Sequence, residues 1–181
     1  MNYIVFDLEA TCWKDRSLPL KSEIIEIGAL KIDRHQKICD EFSKFVRPKM
    51  NPKLSDFCKE LTTIRQEDID EASPFPEVIT KFQEWIGQHD DFVLCSWGFY
   101  DKKQLRLDCD LHHLPANWTK NHISLKHQFA QLKNLKRPIG MGGALKMEGL
   151  KLEGTHHRGI DDARNIAKIF VKYFDQWNTG N

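Results

Sequence analysis

The sequence lacks any long hydrophobic run. Its longest nearly apolar stretch, Tyr3 to Phe6, is far shorter than the ~18 residues of a membrane span, and Asp7 and Glu9 follow where a secretory leader would need its apolar centre. Neither membrane insertion nor export is expected. Cysteine is scarce and unpaired in pattern: Cys12, Cys39, Cys58, Cys95 and Cys109 form an odd set without C-x-x-C spacing. That excludes a disulfide framework and a zinc finger, and fits a reducing cytoplasm. An excess of one charge is missing too, since a net +1 rules out a chain that wraps nucleic acid by bulk attraction. Internal repeats, low-complexity tracts and linkers are absent. The 181 residues are therefore expected to form one domain, 1–181.

What is present is ordinary globular material, 40% hydrophobic and 29% charged. The charge is unevenly spread. From Lys120 to Arg158 there are six lysines and two arginines against two glutamates, a net +6 in a chain whose total is +1. An acidic segment followed by a basic one suits a cation site beside a phosphate-holding surface, or simply a solvated face.

Asn2 to Glu9, Glu23 to Asp33 and Ile38 to Arg47 are rich in β-branched and aromatic residues and read as three strands, the last two joined by the polar turn 34–37. Leu54 to Leu61 and Gln66 to Ala72 are short helix candidates. Val78, Phe82, Trp85 and Ile86 recur at helical spacing within Phe75 to His89. Phe92 to Ser96 is a fourth strand, Tyr100 to Leu111 a helix, His122 to Leu125 a fifth short strand with a helix through Leu132 after it. Ile160, Ala163, Ile166, Ala167, Phe170 and Phe174 share one face of a helix from Gly159 to Trp177. The reading is α/β, with a mixed five-stranded sheet flanked by helices.

Strand side chains alternate between faces, so Asp7 and Glu9 point the same way with Cα atoms about 7 Å apart. Two carboxylates closing an apolar strand need a compensating cation, and oxygen ligands suit Mg²⁺ or Mn²⁺. The other acid-x-acid triplets, Asp68/Asp70 and Asp108/Asp110, read as polar helix faces. Asp101, at the strand–helix junction after Ser96-Trp97-Gly98, is either a further acid of the site or a helix N-cap. Asp162 lies in the first turn of the last helix with His157 five residues earlier, so both can face one cavity. Four acids and a histidine at three distant points can hold two metal ions and hydrolyse a phosphodiester.

At these residues the chain resembles the DEDD 3′-to-5′ exonucleases of the ribonuclease H-like fold, in the branch with a histidine before the last aspartate. Phe6 to Thr11 looks like the first motif of that family, Ser96 through Asp101 like the second, and His157 through Asp162, with H-x-x-x-x-D spacing, like the third. Within the branch it is most similar to the Eri-type and KapD group, which includes histone mRNA 3′-end exonucleases. Cys12-Trp13, Ser55 to Thr62 and His157 to Ala167 support the likeness. Unlike the longest members of the group, the chain is expected to carry no added N-terminal nucleic-acid-binding domain.

The resemblance implies that Asp7, Glu9 and Asp162 hold one Mg²⁺, that Asp7 also touches a second, and that Asp101 supports the second through water, Mn²⁺ substituting. His157 is then the general base, and His156 a solvated loop residue. The remaining histidines, His112 and His113 among them, read as surface residues. Ala10 and Thr11 are expected to meet the terminal sugar through their backbone, with Trp13 or Tyr100 as a stacking face and Trp97 and Phe57 as further candidates. The implied substrate is a single-stranded RNA 3′ end or a short 3′ overhang, released as nucleoside 5′-monophosphates. DNA exonuclease action and a catalytically silent nucleic-acid-binding module are the competing readings.

Overall fold

In the computed structural model, which describes residues 1–15, 17, 19–87 and 91–179, five strands form a mixed sheet. They are β1 (Asn2–Ala10), β2 (Ile24–Ile32), β3 (Ile38–Phe45), β4 (Phe92–Ser96) and β5 (His122–Ser124), in the order β3-β2-β1-β4-β5. The first three make an antiparallel meander, while β4 and β5 run parallel to β1. The helices are α1 (Asp56–Thr62), α2 (Gln66–Asp70), α3 (Phe75–Ile86), α4 (Tyr100–Leu111), α5 (Leu125–Leu132), α6 (Met141–Met147) and α7 (Gly159–Lys172). Among the described residues no helix is long and apolar enough to cross a membrane.

Alternation along the strands divides the core in two. Val5, Leu30, Ile32, Val93 and Cys95 pack on one face against Phe129, Ala144, Ile166 and Phe170 of α5, α6 and α7. Ile4, Phe6, Ile27, Ala29 and Leu94 pack on the other against Val78, Phe82 and Leu105 of α3 and α4. Each such side chain contributes roughly 1.5–3 kcal/mol by leaving water. By the same alternation Asp7 and Glu9 fall on the face that α7 covers.

Several boundaries differ from expectation. α3 stops at Ile86, where Gly87 takes φ 115°; the end of the helix anticipated to His89 lies outside the described residues. α2 ends at Asp70, not Ala72. α7 ends at Lys172 and gives way to a 3₁₀ turn over Phe174–Gln176, which lets the Trp177 ring stack on Phe170 (centroids 6.1 Å apart).

Candidate active site

β1 pairs with β2 through Ala10, but its pairing with β4 stops at Val5. The second half of β1 therefore has an open edge beside α4, at the carboxyl ends of parallel strands where open α/β sheets bind ligands. Leu8, on that half, satisfies its amide by donating to Asp101 Oδ1 at 3.3 Å. Asp101 sits in the first turn of α4 and is buried, 6% exposed; the N-cap position belongs to Phe99, so Asp101 is not a plain cap.

Asp162 arrives from the other side, and a close approach of two backbones puts it there. Gly28 on β2 faces Gly159 at the start of α7 so tightly that a Cβ on Gly28 would lie 2.1 Å from the Gly159 carbonyl carbon. Opposite Glu9 on β2 is Glu26, fully buried, which accepts from the Gly159 amide at 3.0 Å and from Arg158 Nε at 3.1 Å. This ion pair and the pair of glycines fix the start of α7 against β1 and β2. The two adjacent aspartates then separate in role: Asp161 accepts from the Thr155 amide (2.8 Å) and from Arg164, fastening the preceding loop, while Asp162 turns inward.

Oxygens of Asp7, Glu9 and Asp162 lie within 4.8 Å of one another. Among the described residues no lysine or arginine is ion-paired with these three or with Asp101. Burial first, then the charges of Asp162, Glu26 and Asp101, push the Glu9 carboxyl up to about 8. Burial, then Asp101 and Glu9, holds Asp7 well above the usual carboxylate range. Asp101 rises to about 6 through burial, which the Leu8 amide and other hydrogen bonds oppose. Crowded oxygen donors without a lysine or arginine partner among the described residues fit hard divalent ions.

The histidine pair is arranged less simply than the spacing suggests. His157 has a left-handed backbone (φ 65°), and its amide donates to Asp162 Oδ2 at 3.0 Å. Ring nitrogens of both histidines lie within 4.8 Å of an Asp162 oxygen, but the ring hydrogen-bonded to it is that of His156, whose Nδ1 is 2.9 Å from Oδ2; the expectation of a merely solvated His156 is corrected, although the residue is exposed. The two imidazoles stack at 4.0 Å. Desolvation, then the neighbouring His156, lowers the His157 pKa against the opposing pull of Asp162, which favours the neutral ring.

The expected substrate cradle is partly rearranged. Thr11 is buried, with its amide donated to the Glu23 carbonyl (2.8 Å), so that the amide is taken up within the protein, and its hydroxyl accepts from the Glu23 amide (2.9 Å). Ala10 is buried and its carbonyl accepts from Cys58 Sγ. Trp13 and Phe57 are half-buried, Tyr100 is exposed at the mouth, and Trp97 is a core residue bonded through Nε1 to the Ile139 carbonyl. Two further expectations fail. Asp108 is buried and accepts from the Ile24 amide and Gln104, so it ties α4 to β2 and is no solvent-facing acid. His122 is half-buried on Ser96 Oγ (2.9 Å), and His112 stacks on Phe75. Sequence reasoning missed Glu26 and Gly28; the signal was a charge and a glycine inside the otherwise apolar run Ile24 to Leu30.

A family model described as Exonuclease matches residues 4–170. The chain is 32% identical over 177 residues to rat 3′-5′ exoribonuclease 1, covering 93% of this chain and 51% of that protein, so it spans about half the length of that relative. Among solved structures, the nuclease domain of 3′hExo, a DEDDh family member bound to rAMP, superposes with a TM-score of 0.90 at 31% identity, covering 96% of this chain and 92% of that one. The 3′-exonuclease solved in 3′-end-specific recognition of a histone mRNA stem-loop superposes at 0.89 with 29% identity, over 95% of this chain and 63% of that one. DEDDh exonucleases depend on divalent metal. With a ribonuclease H-like sheet, four converging acids and the preceding histidine in place, the chain belongs to the exonuclease family, in its DEDDh branch.

Proposed function

We propose that this chain is a 3′-to-5′ exonuclease acting on single-stranded RNA ends or short 3′ overhangs and releasing nucleoside 5′-monophosphates. The observation that carries the reading is the convergence of Asp7, Glu9, Asp101 and Asp162 at the open end of β1, with no lysine or arginine among the described residues to balance them. These four residues would hold two Mg²⁺ ions, with Mn²⁺ as a substitute. Ions bound there supply charge to activate water and to stabilise the leaving oxygen of the phosphodiester.

The protein's own groups do the rest. Asp101, anchored on the Leu8 amide, and Asp162, anchored on the His157 amide, keep their carboxylates aimed without solvent reorganisation. His157, favoured neutral by desolvation, takes the proton of the attacking water, a role worth roughly 10²–10⁴ in rate. Tyr100 and Trp13 offer ring faces to the terminal base at the mouth. RNA is favoured over DNA because the rat relative is named an exoribonuclease and the similar 3′hExo nuclease domain was solved with rAMP. Five free thiols suit a reducing cytoplasm.

The test uses matched RNA and DNA strands, each labelled at the 5′ end, under a Mg²⁺ titration. RNA should shorten stepwise from its 3′ end and yield 5′-mononucleotides. Faster digestion of the DNA would shift the substrate to DNA, and absence of cleavage of either would overturn the reading.

A further inference from the structure

In sequence α4 is electrically neutral: Lys102, Lys103 and Arg106 are matched by Asp101, Asp108 and Asp110. Folding separates the signs. Asp101 (6% exposed) and Asp108 (2%) turn inward, the first to the site and the second to the Ile24 amide and Gln104. Lys103 and Arg106 are left exposed, and Lys102 is half-buried with Nζ on the Lys120 carbonyl at 3.2 Å. The outer side of the helix thus meets the start of the basic segment that begins at Lys120.

These cations line an open cleft of about 390 Å³ with Phe99, Leu107 and Asp110. Phe99, next to Tyr100, is 57% exposed, and its ring lies tilted against His127 (centroids 4.8 Å apart, 31° between planes). Like charges at Lys102/Arg106 and Lys103/Arg106 spacing each cost a few tenths of a kcal/mol on a helix. Among the described residues none of the three is ion-paired. Across α4 lies a second groove of about 510 Å³, but Lys21 there faces Asp108 and Asp110, alongside Met50 and Tyr100. The cleft beside Phe99 sets three cations against Asp110, whereas the groove across α4 has one, Lys21, against the same Asp110 and the buried Asp108.

We propose that the outer face of α4, Phe99 with Lys102, Lys103 and Arg106, is the track for the RNA strand on the 5′ side of the scissile phosphate. The inference rests on the exonuclease reading and adds to it where the rest of the strand lies. Phe99 to Arg106 spans about 10 Å at the helical rise, the length of two or three stacked nucleotides. Phe99 offers a sequence-tolerant ring face, and the three cations take successive phosphates.

The experiment compares the native chain with the Lys103→Ala/Arg106→Ala double variant on 5′-labelled oligoadenylates of two and ten nucleotides. The ratio of kcat/KM for the decamer to that for the dimer should fall by about tenfold or more at low salt. The slope of log affinity against log salt for the decamer, read by fluorescence anisotropy, should become shallower by about 1.4 for two lost phosphate contacts. Equal loss on both lengths, or an unchanged salt slope, would overturn the proposal. So would a loss that instead follows Lys136→Ala/Arg137→Ala, exposed residues elsewhere in the basic segment. If the native chain cleaves neither oligonucleotide, the exonuclease reading fails while the anisotropy slope still decides the track.

Discussion

Replacing Gly28 by alanine adds one methyl group where there is no room for it. The new carbon would lie 2.1 Å from the Gly159 carbonyl carbon and from the Ile160 nitrogen, and 2.4 Å from the Gly159 oxygen. Carbon contacts settle at about 3.5–4.0 Å, so the start of α7 must retreat by about 1.4 Å or more. These are backbone atoms, and no rotamer change relieves them. Asp162 lies three residues further along the same helix, so the retreat draws its carboxylate away from Asp7 and Glu9 and stretches the Gly159–Glu26 bond. A misplacement of about 1 Å costs on the order of 10² in rate. Overpacking of this kind costs about 1–3 kcal/mol, a fall in Tm of roughly 2–12 °C for a chain of this size. Turnover on 5′-labelled RNA at saturating Mg²⁺, with circular dichroism to show that the variant is folded, measures the effect. Gly143→Ala is the control: its Cβ would meet Ile139 side-chain atoms at 3.7 Å, an ordinary contact, and turnover should stay within twofold. A folded Gly28→Ala protein with native turnover would refute the reasoning.

The remaining expectations concern His157 and one ion-pair cluster. His157→Ala should lower turnover by about 10²–10⁴ while calorimetry shows nearly unchanged metal affinity; lost affinity would make His157 a ligand. Burial works to raise the Glu148 pKa, but hydrogen bonds from Lys133, Lys172 and Tyr173 outweigh it and bring the group down to about 2. Because its folded pKa is depressed, the stability it contributes is present above the unfolded value near 4.5 and is lost as pH falls toward 2. Glu148→Gln should therefore lower Tm at pH 7 by the equivalent of about 1–3 kcal/mol, and the gap to the native chain should narrow below about pH 5 and close only toward pH 2. A pH-independent gap would show that packing, not charge, is at stake.

How much could be read in advance follows from which signals are local. The strands and the long amphipathic helix were legible because β-branched runs and a 3.6-residue apolar period are properties of neighbouring residues. Asp7/Glu9, Asp101, His157 and Asp162 were legible because each closes a strand or opens a helix, where a charge on an apolar element stands out. Illegible features depend on distant partners. Glu26 needs Arg158, 132 residues away, to be neutralised. Gly28 is required only because α7 returns to that point of β2. His156 was passed over because spacing fixes which backbone position faces Asp162 but not which ring does. The two hydrogen bonds of Thr11 to Glu23, which complete the β1–β2 edge, depend on a residue twelve positions away. The α4 charges cancel in any sum along the chain and appear only when burial removes two of the acids from the surface.

Four crowded carboxylates, the half-buried Asp7 and the buried Glu9, Asp101 and Asp162, form the proposed divalent-metal exonuclease centre, and Asp7→Asn probes it. Asp7 shares the cluster with Glu9 and Asp162 and lies in the field of Asp101. The amide keeps the shape of the side chain and removes its charge. A 5′-labelled single-stranded RNA incubated with Mg²⁺ should give a ladder shortening from the 3′ end with the native chain, no ladder with EDTA, and no ladder with folded Asp7→Asn. Undiminished cleavage by Asp7→Asn, or a native ladder that persists in EDTA, would contradict the account.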